Sequence, residues 1–526
     1  MTMHSMDNDF SKPVKVVLIN PYELGRQPFA LAEPVAWLHQ MGYEVTCVEL
    51  SQQRLTGDAL AGAGLVALFL GMHTATRIAI EALPRIRALA PTAHLCAYGL
   101  YAPVNAAYLR AQGIDTILDG EPEAELLALA RDLQISMKEQ TSPAFCENSV
   151  LSAALRTSIQ HTRGAGLATA NRDLQFSPVF AERVAPSHEM DRARPAAFHQ
   201  RIRFIKPDRS LLPPLSNYAH LSMPNGAKIT VGFAESTRGC KHLCRHCPVV
   251  PVYEGRFRAV PLDIVMEDVR QQISQGAQHI SFGDPDFLNG PTHALRIARA
   301  LHAEFPAVTF DATIKIQHLL QHEDKLPELK RAGMLFVTSA VETVDDQVLK
   351  YLDKNHTRAE FVRAVALLND QGIALSPTFI PFTPWTTLDG YLKLLDTLID
   401  LRLAESVAPI QLAIRLLVPR GSYLLKLKDF SERLDQFDPS ILGYRWRHSD
   451  PRVDRLQRDV MTIVETADAS PMTRRAVFEA IWQLAHDALG RAAPSLDTAD
   501  LGAPIPALSE NWYCCAEPTE QQLQQF

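Results

Sequence analysis

Short apolar runs alternate with amphipathic stretches along residues 1–133. Runs of this length predict buried strands, and the stretches between them predict helices. The five expected strands are Val14–Ile19, Val45–Val48, Leu65–Leu70, Ala93–Ala97 and Thr116–Leu118, with helices at Pro34–Met41 and Thr76–Ala88. Because strands that alternate with helices form parallel sheets, residues 1–133 predict a flavodoxin-like, doubly wound α/β domain.

The same alternation returns over residues 206–425. Six strands are expected, at Ile229–Glu235, His279–Gly283, Val308–Asp311, Leu335–Ser339, Leu375–Ile380 and Gln411–Leu416. Helices are expected at Leu262–Ser274, Thr292–Glu304 and Arg358–Asn369. Six such units predict an open, partial (β/α)6 barrel with its chemistry at the carboxyl ends of the strands. Residues 134–205 lack this periodicity and predict a linker, and residues 426–526 predict a mostly helical region with an irregular tail.

Charge and hydropathy narrow the classes of function. The 526 residues include 52 basic and 59 acidic side chains, which gives a net charge of −7. This balance disfavours a nucleic-acid or anionic-membrane partner. No apolar run reaches the ~18–20 residues of a membrane helix, and the first residues lack the apolar segment of a signal peptide. A cytoplasmic protein is therefore expected.

Five of the eight cysteines fall in two tight clusters. Cys240, Cys244 and Cys247 form a CxxxCxxC motif directly after the first expected barrel strand. Three thiolates on one loop can hold three irons of a [4Fe–4S] cluster and leave the fourth iron open. The alternative is a zinc site completed by His242 or His246. The scattered Cys47, Cys96 and Cys146 are interpreted as ordinary residues.

The motif and its position resemble the radical S-adenosylmethionine (SAM) superfamily, whose signature is Thr237-Arg238-Gly239-Cys240 followed by Cys244 and Cys247. The resemblance implies that these cysteines hold a [4Fe–4S] cluster. It also implies that the amino and carboxylate groups of SAM chelate the open iron. Reductive homolysis of a carbon–sulfur bond of SAM would then follow, with electrons from an external donor such as flavodoxin or ferredoxin.

Further segments resemble the SAM-binding elements of that superfamily. Gly283 and Asp284 end the second barrel strand, and Glu342 follows the fourth. Lys315 follows the third strand. The resemblance implies that these four residues contact SAM. Each also has a simpler interpretation: Asp284 as a turn cap, Glu342 as a solvated carboxylate and Lys315 as a surface cation.

Residues 14–133 resemble the cobalamin-binding domain that precedes many such barrels. The matching segments are Asn20-Pro21, Gly71-Met72-His73 and Asp119-Gly120-Glu121. The corrinoid-ligating DxHxxG pattern is absent. Cobalamin therefore stays an open cofactor, and His73 is either structural or a ligand.

Adjacent Cys514 and Cys515 admit three interpretations: an accidental pair, a redox dithiol, or a trap for a soft atom. The tail Cys514-Cys515-Ala516-Glu517-Pro518 resembles that of the CUAEP/CCAEP-tail radical SAM proteins. This resemblance implies transfer of the 3-amino-3-carboxypropyl group of SAM to trivalent arsenic, giving hydroxyarsinothricin in arsinothricin biosynthesis. Arsenite would be the small-molecule substrate, held by the two cysteines.

Other functions stay open. One is cobalamin-dependent methylation, and another is 5′-deoxyadenosyl-radical chemistry on a different small metabolite. A non-catalytic metal or arsenical sensor is the alternative of another class.

Overall fold

The computed structural model describes residues 13–141, 202–469 and 472–510. Its first sheet contains five parallel strands in the order β2-β1-β3-β4-β5. Their bounds are β1 Lys15–Asn20, β2 Glu44–Glu49, β3 Ala63–Phe69, β4 His94–Tyr98 and β5 Thr116–Ile117. This order confirms the predicted flavodoxin-like arrangement.

Helices cover both faces of this sheet. They span Phe29–Gln40, Gly57–Leu60, His73–Leu89, Tyr101–Val104, Ala106–Ala111 and Glu123–Thr141. The first of them begins at Phe29, so the predicted start at Pro34 is wrong. Phe29, Leu31 and Ala32 are buried, and this burial favours a helical turn ahead of the proline. Cys47 lies in β2 and Cys96 in β4, where burial raises the pKa of both thiols.

The second sheet has seven strands in the order β13-β12-β11-β10-β7-β6-β16. Strands β7, β10, β11, β12 and β13 are parallel to one another. The bounds are β6 His220–Ser222, β7 Lys228–Ala234, β10 His279–Phe282, β11 Thr309–Thr313, β12 Met334–Glu342, β13 Ala374–Phe379 and β16 Ala507–Leu508. A separate hairpin pairs β8 Thr237–Gly239 with β9 Phe257–Ala259. The α/β barrel class predicted from the sequence is confirmed.

The sixth predicted barrel strand, Gln411–Leu416, does not form. Its first residues belong to a 3₁₀ turn, Pro409–Leu412, and a single parallel bridge joins Phe382 to Arg415. Proline at the start of this segment pre-sets a turn conformation, and its leucines are buried without ladder pairing.

The helices around the second sheet span Val250–Tyr253, Leu262–Ser274, Pro291–Glu304, Ile316–Gln321, Leu326–Arg331, Asp346–Leu352, Arg358–Asp370 and Leu388–Asp400. Beyond the sheet, the helices are Lys428–Ser431, Pro451–Ala469 and Arg474–Ala488. An antiparallel hairpin, β14 Leu434–Asp438 with β15 Gly443–Trp446, interrupts this mostly helical region. No described helix combines the length and apolarity needed to cross a membrane.

Buried hydrogen bonds and ion pairs join the flavodoxin-like domain to the barrel domain. Arg209 donates to both carboxylate oxygens of Asp268, at 2.7 and 2.9 Å, and to Gln27 at 2.8 Å. Arg238 of β8 forms ion pairs with Glu33 and Glu123 of the first domain. The predicted boundary near residue 133 lies inside helix Glu123–Thr141, and the boundaries of the domains stay a prediction.

Candidate active site

A single cavity of about 230 Å³ lies at the carboxyl ends of the barrel strands. Seven of the nine candidate residues line it: Cys240, Cys244, Cys247, Gly283, Asp284, Lys315 and Glu342. They come from a loop and from the ends of β10, β11 and β12, as expected for a barrel. The structure therefore brings together residues that are up to about 100 positions apart in sequence, although their individual roles stay predictions.

The cysteine loop is closed at its base by the hairpin of β8 and β9. Gly239, just before Cys240, has φ +76°, and a Cβ there would lie 2.5 Å from the carbonyl oxygen of Arg256. Only glycine tolerates both conditions. The buried Asn289 holds the next turn, because its side chain accepts a hydrogen bond from Lys241 N at 3.2 Å and donates to Gly239 O at 3.3 Å.

The donor set fits a [4Fe–4S] cluster. Three thiols line one cavity, and Nζ of Lys315 lies 3.6 Å from Sγ of Cys244. Burial raises the pKa of the Cys240 thiol to about 11. A thiol in this position is deprotonated by metal coordination rather than by the protein alone. The Lys315 ammonium would also offset part of the negative charge of coordinated thiolates.

Asp284 is buried and already hydrogen-bonded to the chain that leads into the cysteine loop. Its carboxylate accepts from Ser236 N at 3.0 Å, Ser236 Oγ at 2.7 Å and Thr237 Oγ1 at 2.5 Å. Burial raises the pKa of Asp284, and these three donors oppose that rise. Gly283 is packed so closely on Phe233 that a Cβ would lie 2.0 Å from its ring. Both residues therefore shape the wall of the cavity.

Glu342 forms a buried triad with two residues that the sequence analysis missed as partners. Its Oε1 lies 3.0 Å from Nζ of Lys354 and 3.0 Å from Nε2 of His246, which precedes Cys247 in the motif. Burial alone would raise the pKa of Glu342, but Lys354 and His246 hold it at about 2. Burial would lower the pKa of Lys354, and Glu342 instead raises it. The triad ties the end of β12 to the cysteine loop.

A second cavity, of about 250 Å³, lies between the two sheets and shares Val249, Gly283 and Pro285 with the first. The charged residues of its lining are five carboxylates and two guanidinium groups: Glu23, Glu33, Glu121, Glu123, Glu235, Arg26 and Arg238. Burial raises the pKa of Glu23 to about 8 and those of Glu121 and Glu123 to about 7. The described lining contains no histidine, so this cavity offers carboxyl groups and no imidazole to a ligand.

His73 does not line that cavity. It starts helix His73–Leu89 and is buried, with Nε2 in contact with the carbonyl oxygen of Ile441. Burial lowers the pKa of His73 to about 4. These contacts favour the structural interpretation of this residue.

Cys146, Cys514 and Cys515 lie outside the described residues. Glu510, which follows β16, is the last residue that the structure describes before the tail. Strand β16 is antiparallel to β6, which is antiparallel to β7, so the chain leaves β16 toward the carboxyl ends of the barrel strands. Glu510 accepts a hydrogen bond from the hydroxyl of Tyr22 and lines a small cavity that shares Thr378 and Gln411 with the cysteine cavity.

Comparison with known proteins agrees with this geometry. Residues 234–398 match the model of the radical SAM superfamily. The ribosomal protein uS12 methylthiotransferase RimO of Geotalea uraniireducens (strain Rf4) is 27% identical over 183 residues, covering 31% of this chain and 38% of that protein. The bacteriochlorophyllide d C-12(1)-methyltransferase of Chlorobaculum tepidum is 25% identical over 182 residues, covering 34% and 39%. The chain thus spans about two fifths of the length of these relatives.

Solved structures extend the likeness to the first domain. The radical SAM methyltransferase TsrM from Kitasatospora setae, solved with tryptophan and a SAM analogue, has a TM-score of 0.56 at 17% identity, covering 79% of this chain and 76% of TsrM. The cobalamin-dependent SAM radical enzyme OxsB, solved with aqua-cobalamin, has a TM-score of 0.60 at 15% identity, covering 87% and 67%. At these identities the likeness establishes the fold.

Proposed function

We propose that this chain, which carries a radical SAM domain behind a flavodoxin-like domain, transfers the 3-amino-3-carboxypropyl group of SAM to trivalent arsenic. The cofactors of this domain are a [4Fe–4S] cluster and SAM, which together supply a carbon-centred radical by reductive cleavage of SAM. The arsenic step rests on the resemblance of the tail to the CCAEP-tail proteins. In the net reaction the Cγ–S bond of SAM breaks and methylthioadenosine leaves with the electron pair of that bond. The lone pair of arsenic supplies the new carbon–arsenic bond, so arsenic goes from +3 to +5 and no electron is consumed overall.

The observation that carries this proposal is the direction of the chain at β16. Glu510 lies beside a cavity that shares two lining residues with the cysteine cavity. Cys514 follows Glu510 by four residues, which span at most about 14 Å when extended. This reach supports a tail that brings Cys514 and Cys515 to the barrel mouth, where two thiolates would present a thiophilic arsenite to the radical.

The other residues have separate tasks under this proposal. Cys240, Cys244 and Cys247 hold the cluster. The Lys315 ammonium offsets part of the negative charge of the coordinated thiolates. Gly283, Asp284 and Glu342 form the wall against which SAM is oriented. A tail over the mouth would also separate the radical from reactive species in solution and so limit side reactions.

The test is anaerobic incubation of the reconstituted protein with SAM, a reductant and arsenite, followed by mass spectrometry of small molecules. We expect methylthioadenosine and a 3-amino-3-carboxypropyl arsenical in equal amounts. The double variant Cys514→Ser/Cys515→Ser should lose the arsenical and keep the cluster spectrum, while Cys47→Ser/Cys146→Ser removes the same number of thiols and should keep both. Accumulation of 5′-deoxyadenosine without methylthioadenosine would contradict the proposal.

Cobalamin-dependent methylation is the second candidate. It is favoured by the fold shared with TsrM and OxsB and by the interdomain cavity at the carboxyl ends of the strands, where doubly wound domains bind ligands. Expression with cobalamin supplied, followed by an absorption spectrum of the purified protein, distinguishes this function from 3-amino-3-carboxypropyl transfer. Corrinoid bands together with S-adenosylhomocysteine as the product would favour methylation.

A further inference from the structure

A partly buried histidine on the cysteine loop, which also lines the cysteine cavity, meets a buried aspartate and a buried histidine, and the proposed function does not use this group. His242 lies on the loop between Cys240 and Cys244, Asp286 follows β10, and His318 lies on helix Ile316–Gln321. One potential ligand atom from each residue lies within 4.8 Å of those of the other two. Three separate elements thus meet at one point.

The contacts within this group are at ion-pair distance but do not have the geometry of hydrogen bonds. Oδ2 of Asp286 lies 3.3 Å from Nε2 of His242 and 2.7 Å from Nδ1 of His318. All three atoms are buried, and none of them has a partner with hydrogen-bond geometry. The other oxygen of Asp286 accepts from Leu288 N at 3.1 Å, which fixes the direction of the carboxylate.

His318 is fully buried, and neither of its ring nitrogens has a partner with hydrogen-bond geometry. A buried polar group left without a hydrogen-bond partner destabilises the folded state. One bound ion would give the three groups a common partner. Two imidazoles and one carboxylate are the ligand set of many zinc and non-haem iron(II) sites, with the remaining positions taken by water.

We propose that His242, Asp286 and His318 bind one divalent first-row transition-metal ion, such as Zn²⁺, at a site separate from the cluster. The ion joins the cysteine loop to the end of β10 and to helix Ile316–Gln321. It would therefore act as a brace that fixes the position of Cys240 and Cys244 before the cluster is inserted.

The test uses the whole chain with Cys240, Cys244, Cys247, Cys514 and Cys515 all replaced by alanine, so that neither the cluster ligands nor the tail cysteines contribute to metal binding. This protein is titrated with Co²⁺ and with Zn²⁺, and bound metal is measured by mass spectrometry after dialysis. We expect about one ion per chain, with cobalt absorption of a nitrogen and oxygen site. Adding His318→Asn should weaken binding at least about tenfold.

His322→Asn is the matched control. The ring of His322 lies 5.6 Å from that of His318, but His322 is not one of the three converging residues. This variant should leave metal binding unchanged. Circular dichroism of each variant verifies folding. A second measurement on the wild-type chain with its cluster reconstituted should find one zinc in addition to iron, and His242→Asn should remove that zinc. No bound metal in the folded quintuple variant, or equal binding with and without His318→Asn, would overturn the proposal.

Discussion

Gly239 determines where the cysteine loop begins. Replacing it with alanine puts a Cβ 2.5 Å from the Arg256 carbonyl oxygen at φ +76°, so the backbone must shift and Cys240 moves with it. We expect Gly239→Ala to retain less than about half of the roughly four irons that a [4Fe–4S] cluster contributes. Iron analysis after anaerobic reconstitution measures this.

The control for that prediction is Gly226→Ala, in the turn between β6 and β7. Gly226 also has a positive φ, +83°, but a Cβ there has nothing within 4 Å. Alanine should cost about 1–2 kcal/mol of stability and leave the iron content unchanged. Equal iron loss in both variants would show that positive φ alone, and not the contact with Arg256, controls the loop.

Loss of the Glu342 carboxylate should destabilise the site. Glu342→Gln leaves Lys354 buried without its counter-charge, which we expect to cost about 3–5 kcal/mol at pH 7. Because the pKa of Glu342 is held at about 2, below its ordinary value of 4.5, the stabilisation is fully present above pH 4.5. It is lost as the pH falls toward about 2. Chemical unfolding of the cluster-free protein across this range measures the difference.

The double variant Glu342→Gln/Lys354→Met separates charge from packing. If the cost comes from the unpaired ammonium, the methionine should recover most of the lost stability. A double variant as unstable as Glu342→Gln would instead assign the cost to the shape of the carboxylate site.

At the scale of elements, helix His73–Leu89 is joined to the C-terminal region through His73 and the Ile441 carbonyl. The folded state holds the pKa of His73 at about 4, against an ordinary value of 6.5. Below pH 6.5 His73 is protonated in the unfolded chain but stays neutral in the folded chain. The free energy of unfolding that depends on His73 therefore falls as the pH drops from about 6.5 to about 4. We expect His73→Gln to flatten that dependence in thermal melts, whereas the exposed His302, changed in the same way, should not.

The elements also show what the sequence could and could not predict. Apolar runs placed ten of the eleven expected strands, because a buried parallel strand leaves a continuous hydrophobic signature. The eleventh, Gln411–Leu416, has the same signature but is a buried segment outside the hydrogen-bonded strands of the sheet. The hydrophobic pattern cannot distinguish such a segment from a buried strand. The CxxxCxxC motif identified the site, whereas the contacts of Glu342 with His246 and Lys354 depend on folding across 96 and 12 residues. No local pattern encodes such contacts.

At the scale of the whole molecule, Arg238 links the signature segment of the barrel to the first domain. Its guanidinium pairs with Glu33 and Glu123, which belong to helices Phe29–Gln40 and Glu123–Thr141. Arg238→Met removes the cation from two buried carboxylates, and we expect a cost of about 3–5 kcal/mol. Hydrogen exchange in helix Phe29–Gln40 should accelerate, while exchange in β11 and β12 should not change.

The triple variant Arg238→Met/Glu33→Gln/Glu123→Gln controls for the lost charges. It should restore slow exchange in helix Phe29–Gln40, because both first-domain carboxylates that pair with Arg238 are then removed. Glu235, which lies 3.5 Å from Nε of Arg238, is the same in both variants. Unaltered exchange in Arg238→Met would show that the two domains are held together by their other contacts, such as those of Arg209.

Strand β16 gives the barrel sheet its outermost strand from a part of the chain that is made late. His220 and Ser509, which pair across this edge, are 289 residues apart in sequence. During synthesis the cysteine loop and its neighbouring strands leave the ribosome long before β16 does, and domains fold largely in the order of synthesis. The β6 edge of this sheet therefore stays unpaired until long after the strands that carry the site have been made.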